Sequence, residues 1–175
     1  MMIRMNATRT GMFSAAAIVA LMALSCQKPE LAGLTITSPA FKDGKFIPAK
    51  YTCLGNNVNP ELNINGLPAG TKSLILFMDD VDAPVPPFVH WVVYDIPAIS
   101  TIKENSVPGK LGINSESGTA YIGPCPGHGS EHRYLFRLFA LDITLGIEGA
   151  NRYQVEKAME GHILGRARLL GRFKM

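Results

Sequence analysis

Residues 73–97 read SLILFMDDVDAPVPPFVHWVVYDIP. Ser73 to Met78 is a continuous apolar run of strand length, bounded by turn residues, and reads as a strand buried on both faces. Val89 to Ile96 is a second run, whose Val-Val-Tyr content suits a pleated sheet, and Pro97 closes it. Between them lie three aspartates (Asp79, Asp80, Asp82), three prolines (Pro84, Pro86, Pro87) and, at the start of the second run, His90. If the two runs pair as a hairpin, Asp80 and His90 share one end of the sheet. Charge and rigidity at the junction of two core strands then mark a site.

Working outward, the N-terminal side gives an alternating strand at Leu34 to Ser38. A turn follows at Lys42-Asp43-Gly44-Lys45, with the Asp-Gly pair typical of hairpins. Phe46 to Lys50 reads as a possible second strand, CLGNNVNP at 53–60 as a loop and Glu61 to Ile64 as a short strand. On the C-terminal side, residues 98–120 read as a long polar loop of the kind that often carries function. YIGPCPGHG at 121–129 is a Gly/Pro loop, and Arg133 to Leu141 is a third long strand. Asn151 to Leu164 has mostly helical spacing, and Leu169, Leu170 and Phe173 suit a last strand. The pattern is a mainly β domain with one late helix. No strand–helix alternation supports a doubly wound fold.

The first 25 residues read as a targeting segment. Arg4 and Arg9 precede an uncharged stretch, Thr10 to Ser25, followed at once by Cys26. That stretch is short for a membrane span, which takes roughly 20 apolar residues. Ala23-Leu24-Ser25-Cys26 resembles a bacterial lipobox, which implies cleavage before Cys26 and acylation of its sulfur. The commonest form has Leu three positions before the Cys; here that position is Ala23. An ordinary signal peptide cut nearby is the alternative. Gln27 after the cysteine implies the outer membrane of a Gram-negative envelope, facing the periplasm. The expected organisation is a lipoprotein-type signal peptide at 1–25, a tether at 26–33 and one domain at 34–175, with the membrane reached by the lipid anchor alone.

Removing residues 1–25 takes the basic count from 17 to 15 against 14 acids, a net charge of +1. No cluster of five or more Lys and Arg remains, so no nucleic-acid footprint is expected. Apolar residues at 47% suffice for a core, and charged residues at 18% argue against disorder. With Cys26 acylated, Cys53 and Cys125 are left to pair, which export permits, or to stay as free thiols.

The polar groups gather at three strand ends. In a hairpin Asp80 and His90 sit at the same end of the sheet, and an antiparallel neighbour at 133–141 would bring His132 and Tyr134 to the same opening. Such a set favours a small anion or zwitterion. Gly123, Gly127 and Gly129 let backbone N–H groups approach a ligand, and imidazoles and a phenol donate hydrogen bonds. Asp80 can orient an imidazole or accept from an ammonium group, while the prolines preorganise the loop. Asp79 and Asp82 read as turn or capping groups, Trp91 as core, His128 as exposed and His162 as a helix residue without a partner.

Two motifs here resemble the phosphatidylethanolamine-binding protein family, also called Raf kinase inhibitor proteins, and its bacterial branch most closely. Asp80-Val81-Asp82-Ala83-Pro84 with His90-Trp91 is similar to the family's D-P-D-x-P…H motif. Gly123-Pro124-Cys125-Pro126 with His132-Arg133-Tyr134 is similar to its G-P-x-P-P-x-G-x-H-R-Y motif. The resemblance spans roughly residues 34–173. It implies a large antiparallel sheet packed on a smaller one, with a C-terminal helix. It also implies an anion pocket built from Asp80, His90, Gly123, Pro124, His132 and Tyr134, with Phe88 on its wall. Implied ligands are phosphate-type anions and phosphorylethanolamine-like head groups. Val81 stands where the family has proline, Gly127 replaces a second proline, and Glu131 adds a carboxylate near the site.

The expected function is an envelope-tethered binding protein for a small phospho-compound or similar anion, with no cofactor. The alternative is a protein-interaction module with a protein partner, such as an inhibitor of an envelope protease. An enzyme is the weakest reading, because G-x-S-x-G, H-E-x-x-H and C-x-x-C are all absent. A metal site at His90, His128 and His132 is likewise not expected.

Overall fold

The computed structural model describes Met1 and residues 33–85 and 87–175. The expected signal peptide, most of the tether, Cys26 and Pro86 lie outside the described residues. The domain is two stacked sheets. The small one is antiparallel, in the order β1 (Thr35–Thr37), β3 (Leu62–Asn65), β6 (Thr101–Ile102). The large one has the order β2 (Lys45–Phe46), β9 (Ile163–Lys174), β8 (Glu131–Leu141), β4 (Ser73–Asp80), β5 (Phe88–Pro97), β7 (Lys110–Leu111). The mainly β class, a larger sheet on a smaller one with a helix in the C-terminal part, is therefore as the sequence and the resemblance led one to expect.

The stretch at 73–97 is the hairpin β4–β5, and β8 takes β4's other side. All eight residues of β4 are buried, as its unbroken apolar run requires. Leu74, Leu76 and Met78 face the small sheet in a core shared with Trp91, Phe136 and Leu169. Ile75 and Phe77 face the other way, under a layer formed by Ala150 and by Val155 and Met159 of the C-terminal part.

Two expectations change. Asp43-Gly44 does make a turn, with Gly44 at φ +72°, yet Lys45–Phe46 forms no hairpin with β1. It runs parallel to β9 in the other sheet. The turn is fastened there by Leu170 N–H donating to Asp43 Oδ1 (2.8 Å) and Gly44 N–H donating to the Leu170 carbonyl (2.8 Å). Ile47 then crosses β9 at Gly171, where a Cβ would stand 2.5 Å from the Ile47 side chain. The second change is the helix, α1 (Arg152–Ala158), which is half the expected length. Its start carries a reciprocal capping box, Asn151 with Gln154. Its end is set by Gly161, in the left-handed region at φ +81°, after which the chain enters β9. His162 therefore lies off the helix and has a partner, its Nδ1 standing 2.9 Å from Asp142 Oδ1.

Cys53 and Cys125 form a disulfide that ties the turn after a short 3-10 segment (Ala49–Tyr51) to the Gly/Pro loop. Beside it Cys53 N–H donates to the Pro124 carbonyl (3.2 Å) and Tyr121 Oη to the Tyr51 carbonyl (3.0 Å). The bridge joins residues 72 positions apart. By the loop-entropy argument, Cys53→Ser with Cys125→Ser lowers unfolding free energy by about 2–4 kcal/mol. Urea denaturation monitored by Trp91 fluorescence is the check, and an unchanged midpoint would show that the bridge contributes nothing.

Candidate functional site

Alternation along β4 sends Asp79 and Asp80 to opposite faces of the large sheet, and both are buried. Asp80 ends the inner face. Its Oδ1 accepts from Asp82 N–H (2.9 Å), a local Asx turn, and its Oδ2 accepts from His132 Nδ1–H (2.7 Å). A carboxylate cannot donate, so this contact fixes the His132 tautomer and leaves Nε2 as the ring's other polar atom.

His90 reaches the same end through a β-bulge. Met78 pairs with Trp91 but Asp79 pairs with Val89, so His90 is the extra residue on β5. Strict alternation would send His90 to the face opposite Trp91. The bulge lets it share the inner side. Its Nδ1–H donates to the Ile122 carbonyl (2.7 Å), and Ile122 N–H donates back to the His90 carbonyl (3.1 Å). Burial holds the His90 pKa below the ordinary histidine value, outweighing the hydrogen bond to Ile122 and the Asp80 charge. His90 is therefore neutral near pH 7, with its proton on Nδ1.

Around these two imidazoles is a cavity of about 350 Å³, lined also by Asp80, Phe88, Glu116, Ile122, Pro126 and Ser130. The Phe88 ring packs on His90 (centroids 4.9 Å apart). Among the described lining residues there is no arginine or lysine. The formal charges among those residues are two carboxylates and whatever protons the histidines hold.

Of the expected site residues, Asp80, His90 and His132 line the cavity and Phe88 forms part of its wall. Tyr134 lies behind them. It is fully buried, edge-on to His90 (5.2 Å, 82°), with no hydrogen-bond partner for its hydroxyl among the described residues. Burial first, and the Asp80 charge second, push its pKa up. Gly123 and Pro124 do not line the cavity. Gly123 is required by packing, since a Cβ there would sit 2.6 Å from the Tyr51 carbonyl oxygen, and its N–H is taken by Asn57 Oδ1 (2.7 Å). Gly129 N–H is likewise taken, by the Met175 carbonyl (2.9 Å). Of the three glycines, Gly127 alone has an N–H without an acceptor among the described residues, and it lines the cavity.

Two acids sit elsewhere than expected. Asp79 is no turn group: it is buried on the outer face against Arg137 and Arg152. Burial still raises its pKa against those two cations. Glu131 does not enter the cavity but pairs with Arg172. The carboxylate at the rim is Glu116, from the long 98–120 loop. Only the length of that loop, unusual in a compact domain, signalled it in the sequence. His128 is exposed, and no three His, Cys, Asp or Glu side chains among the described residues are grouped to hold a metal.

With this geometry in hand, comparison with known proteins is direct. The phosphatidylethanolamine-binding protein family model matches residues 37–174. A UPF0098 protein of Methanothermobacter thermautotrophicus is 45% identical over 150 residues, covering 81% of this chain and 99% of the relative. A UPF0098 protein of Aquifex aeolicus is 45% identical over 152 residues, covering 81% and 88%. A crystal structure of a putative phosphatidylethanolamine-binding protein homologue from Chlamydia trachomatis superposes with TM-score 0.78 at 35% identity, covering 81% of this chain and 97% of that one. E. coli YbcL shares the fold, with TM-score 0.75 at 24% identity over 81% of this chain and 98% of its own. The chain belongs to the phosphatidylethanolamine-binding protein family.

The tautomers are measurable. Nitrogen-15 NMR of the imidazoles at pH 7 is expected to show His90 neutral and protonated at Nδ1, titrating below about 6.5. A His90 that titrates at or above that value would contradict burial as the dominant influence on it.

Proposed function

With family membership as the premise, we propose that the cavity binds a small phosphate-bearing or similar anion, and that the protein does so as a lipid-anchored component of the cell envelope. The observation that carries the binding reading is the pair of imidazoles. Each has its Nδ1 committed to a protein acceptor, which leaves Nε2 to meet a ligand oxygen. Gly127 N–H adds a backbone donor at the same cavity. Phe88 and Pro126 give it an apolar wall, so hydrogen bonds inside are less exposed to competing water. The disulfide and the Ile122–His90 backbone pair hold the walls before any ligand arrives, which lowers the ordering cost of binding.

The proton balance decides how an anion is accepted. A neutral imidazole whose Nδ1 is protonated offers only a lone pair at Nε2. An oxyanion there favours the imidazolium form. The complex therefore holds more protons than the free protein, and affinity rises as pH falls. Facing His90 are Asp80, Glu116 and His132 as titrating groups, with the Tyr134 and Phe88 rings and the Ile122 carbonyl. Of these charges, Asp80 and Glu116 help the imidazolium form and a protonated His132 opposes it.

Calorimetric titration with inorganic phosphate and with phosphorylethanolamine is expected to give one site per chain. His132→Ala should weaken it by roughly tenfold or more, the loss of one charge-assisted hydrogen bond. Glu116→Gln should tighten inorganic phosphate by a few-fold, since one exposed and screened like charge is removed, and weaken an amine-bearing ligand by a similar factor. Sulfate, which does not titrate in this range, should bind more tightly at pH 6 than at pH 8. If phosphate binds equally well to His132→Ala, the cavity is not its site.

The anchor is supported by the sequence at Ala23-Leu24-Ser25-Cys26 and by the Cys53–Cys125 bridge, which suits an oxidising compartment. Cells fed a labelled fatty acid should place label on the wild type and none on Cys26→Ala. Label retained by the variant would end the lipoprotein reading.

A further inference from the structure

The outer face of β8 and β9 is a ladder of basic and apolar pairs. Across the two strands stand Arg133 with Arg172, Leu135 with Leu170, Arg137 with Arg168, and Phe139 with Arg166. Like charges directly opposite one another in a sheet repel, so each such pair needs counter-charge. For three of these arginines the protein supplies it. Arg133 pairs with Asp82, Arg172 with Glu131, and Arg137 with Asp79 and Glu156. For Arg166 and Arg168 it supplies none: both are exposed and have no ion pair or hydrogen bond among the described residues.

The surface at this spot is a shallow groove of about 260 Å³, lined by Leu135, Arg137, Phe139, Arg166, Ala167 and Arg168. Its floor is apolar and recessed. Phe139 is only 8% exposed and Leu135 is half-buried. The groove is also open from the side. β2 pairs with β9 only at 171–172, so residues 164–168 form a sheet edge with no strand beyond them among the described residues.

We propose that this groove docks an extended acidic segment of a partner protein, two of whose carboxylates meet Arg166 and Arg168 while an adjoining apolar side chain enters the floor. The charge pattern selects the partner. Everywhere else on this face a carboxylate answers each arginine, and the two left over sit two residues apart on one strand. In an extended chain, carboxylates two residues apart are spaced by about 6.6 Å, the same repeat as the arginines. Guanidinium groups are suited to gripping carboxylates bidentately. A lipid surface fits less well, because the apolar residues are sunk between the arginines and cannot insert into a bilayer. A nucleic-acid backbone fits less well too, since strong binders neutralise about 6–10 phosphates and only two cations are unmatched here. The groove lies on the opposite face of the sheet from His90 and Asp80, so this inference does not rest on the anion-binding reading.

The test uses the purified full chain and a fluorescein-labelled peptide of alternating glutamate with leucine and phenylalanine. Wild type is expected to bind it with a salt-dependent affinity. Arg166→Glu with Arg168→Glu should weaken it by about tenfold or more. Arg166→Lys with Arg168→Lys should keep part of it, and neither variant should melt below the wild-type temperature, since reversal at Arg168 relieves its repulsion with Arg137. A peptide of glutamate and glycine alone should bind more weakly than the probe, because the floor then stays empty. The proposal is overturned if wild type does not bind the probe, or if the charge-reversed variant binds it equally. It is overturned in favour of a membrane if phosphatidylglycerol vesicles bind in place of the peptide and the charge reversal abolishes that. It is overturned in favour of self-association if sedimentation shows a dimer that the charge reversal dissolves.

Discussion

A strand buried on both faces can end in two carboxylates only if each of them is answered, and the architecture follows from how β4 meets that demand. Asp79 and Asp80 are neighbours in sequence, both buried, and point to opposite sides of the large sheet. An unpaired buried charge is costly enough that each must recruit partners. Asp79 draws Arg137 from β8 and Arg152 from the first turn of α1, which pins the helix over the outer face. Asp80 draws the Asp82 backbone and His132, which sets one ring of the cavity and bends the chain away from the strand. Register makes the two assignments inseparable. A slip of β8 by one residue would exchange its inner and outer side chains, removing Arg137 from Asp79 and His132 from Asp80 together.

The second imidazole arrives by a different device. His90 depends on the bulge in β5, and the loop it contacts is held by the Ile122 backbone pair, by Gly123 packed against the chain at 51–52, and by the Cys53–Cys125 bridge. Ile122 and Cys125 themselves line the cavity, so these fastenings hold its wall directly. The rigidity suggested by the prolines of residues 79–97 is thus only part of the preorganisation. The covalent and hydrogen-bonded strapping of the opposite loop supplies the rest.

The sequence made some of this legible and hid the rest for identifiable reasons. Apolar runs marked β4 and β5, because both faces of these strands are covered, one by the small sheet and the other by the layer that includes Ala150, Val155 and Met159. Residue type and position at strand ends brought Asp80, His90 and His132 together. What escaped was decided by tertiary geometry. Nothing local to Lys45–Phe46 shows that it leaves β1's sheet to run beside β9. Helical spacing at 159–164 was overridden by Gly161 and by the demand of β8 for a partner along its whole length. Gly123 looked like a ligand-facing glycine, but its missing side chain makes room for the backbone of 51–52. Glu116 could not be assigned to the rim, since a loop's sequence does not reveal which surface it folds over.

The charge distribution of the large sheet gives the last step. On the outer face every arginine near the middle is matched by an acid until the row reaches Arg166 and Arg168. On the inner end there are two acids and no permanent cation among the described residues. The two sides of one sheet therefore discriminate by opposite means. The outer groove offers guanidinium charges that no accessible pH removes, so what it selects is partner geometry and salt sets the strength. The inner cavity offers His90, which burial holds neutral, so on the proposed reading it selects by proton affinity. On that reading an anion enters the cavity only if it supplies a proton or induces one to bind, because burial of His90, outweighing the Asp80 charge, holds that ring neutral.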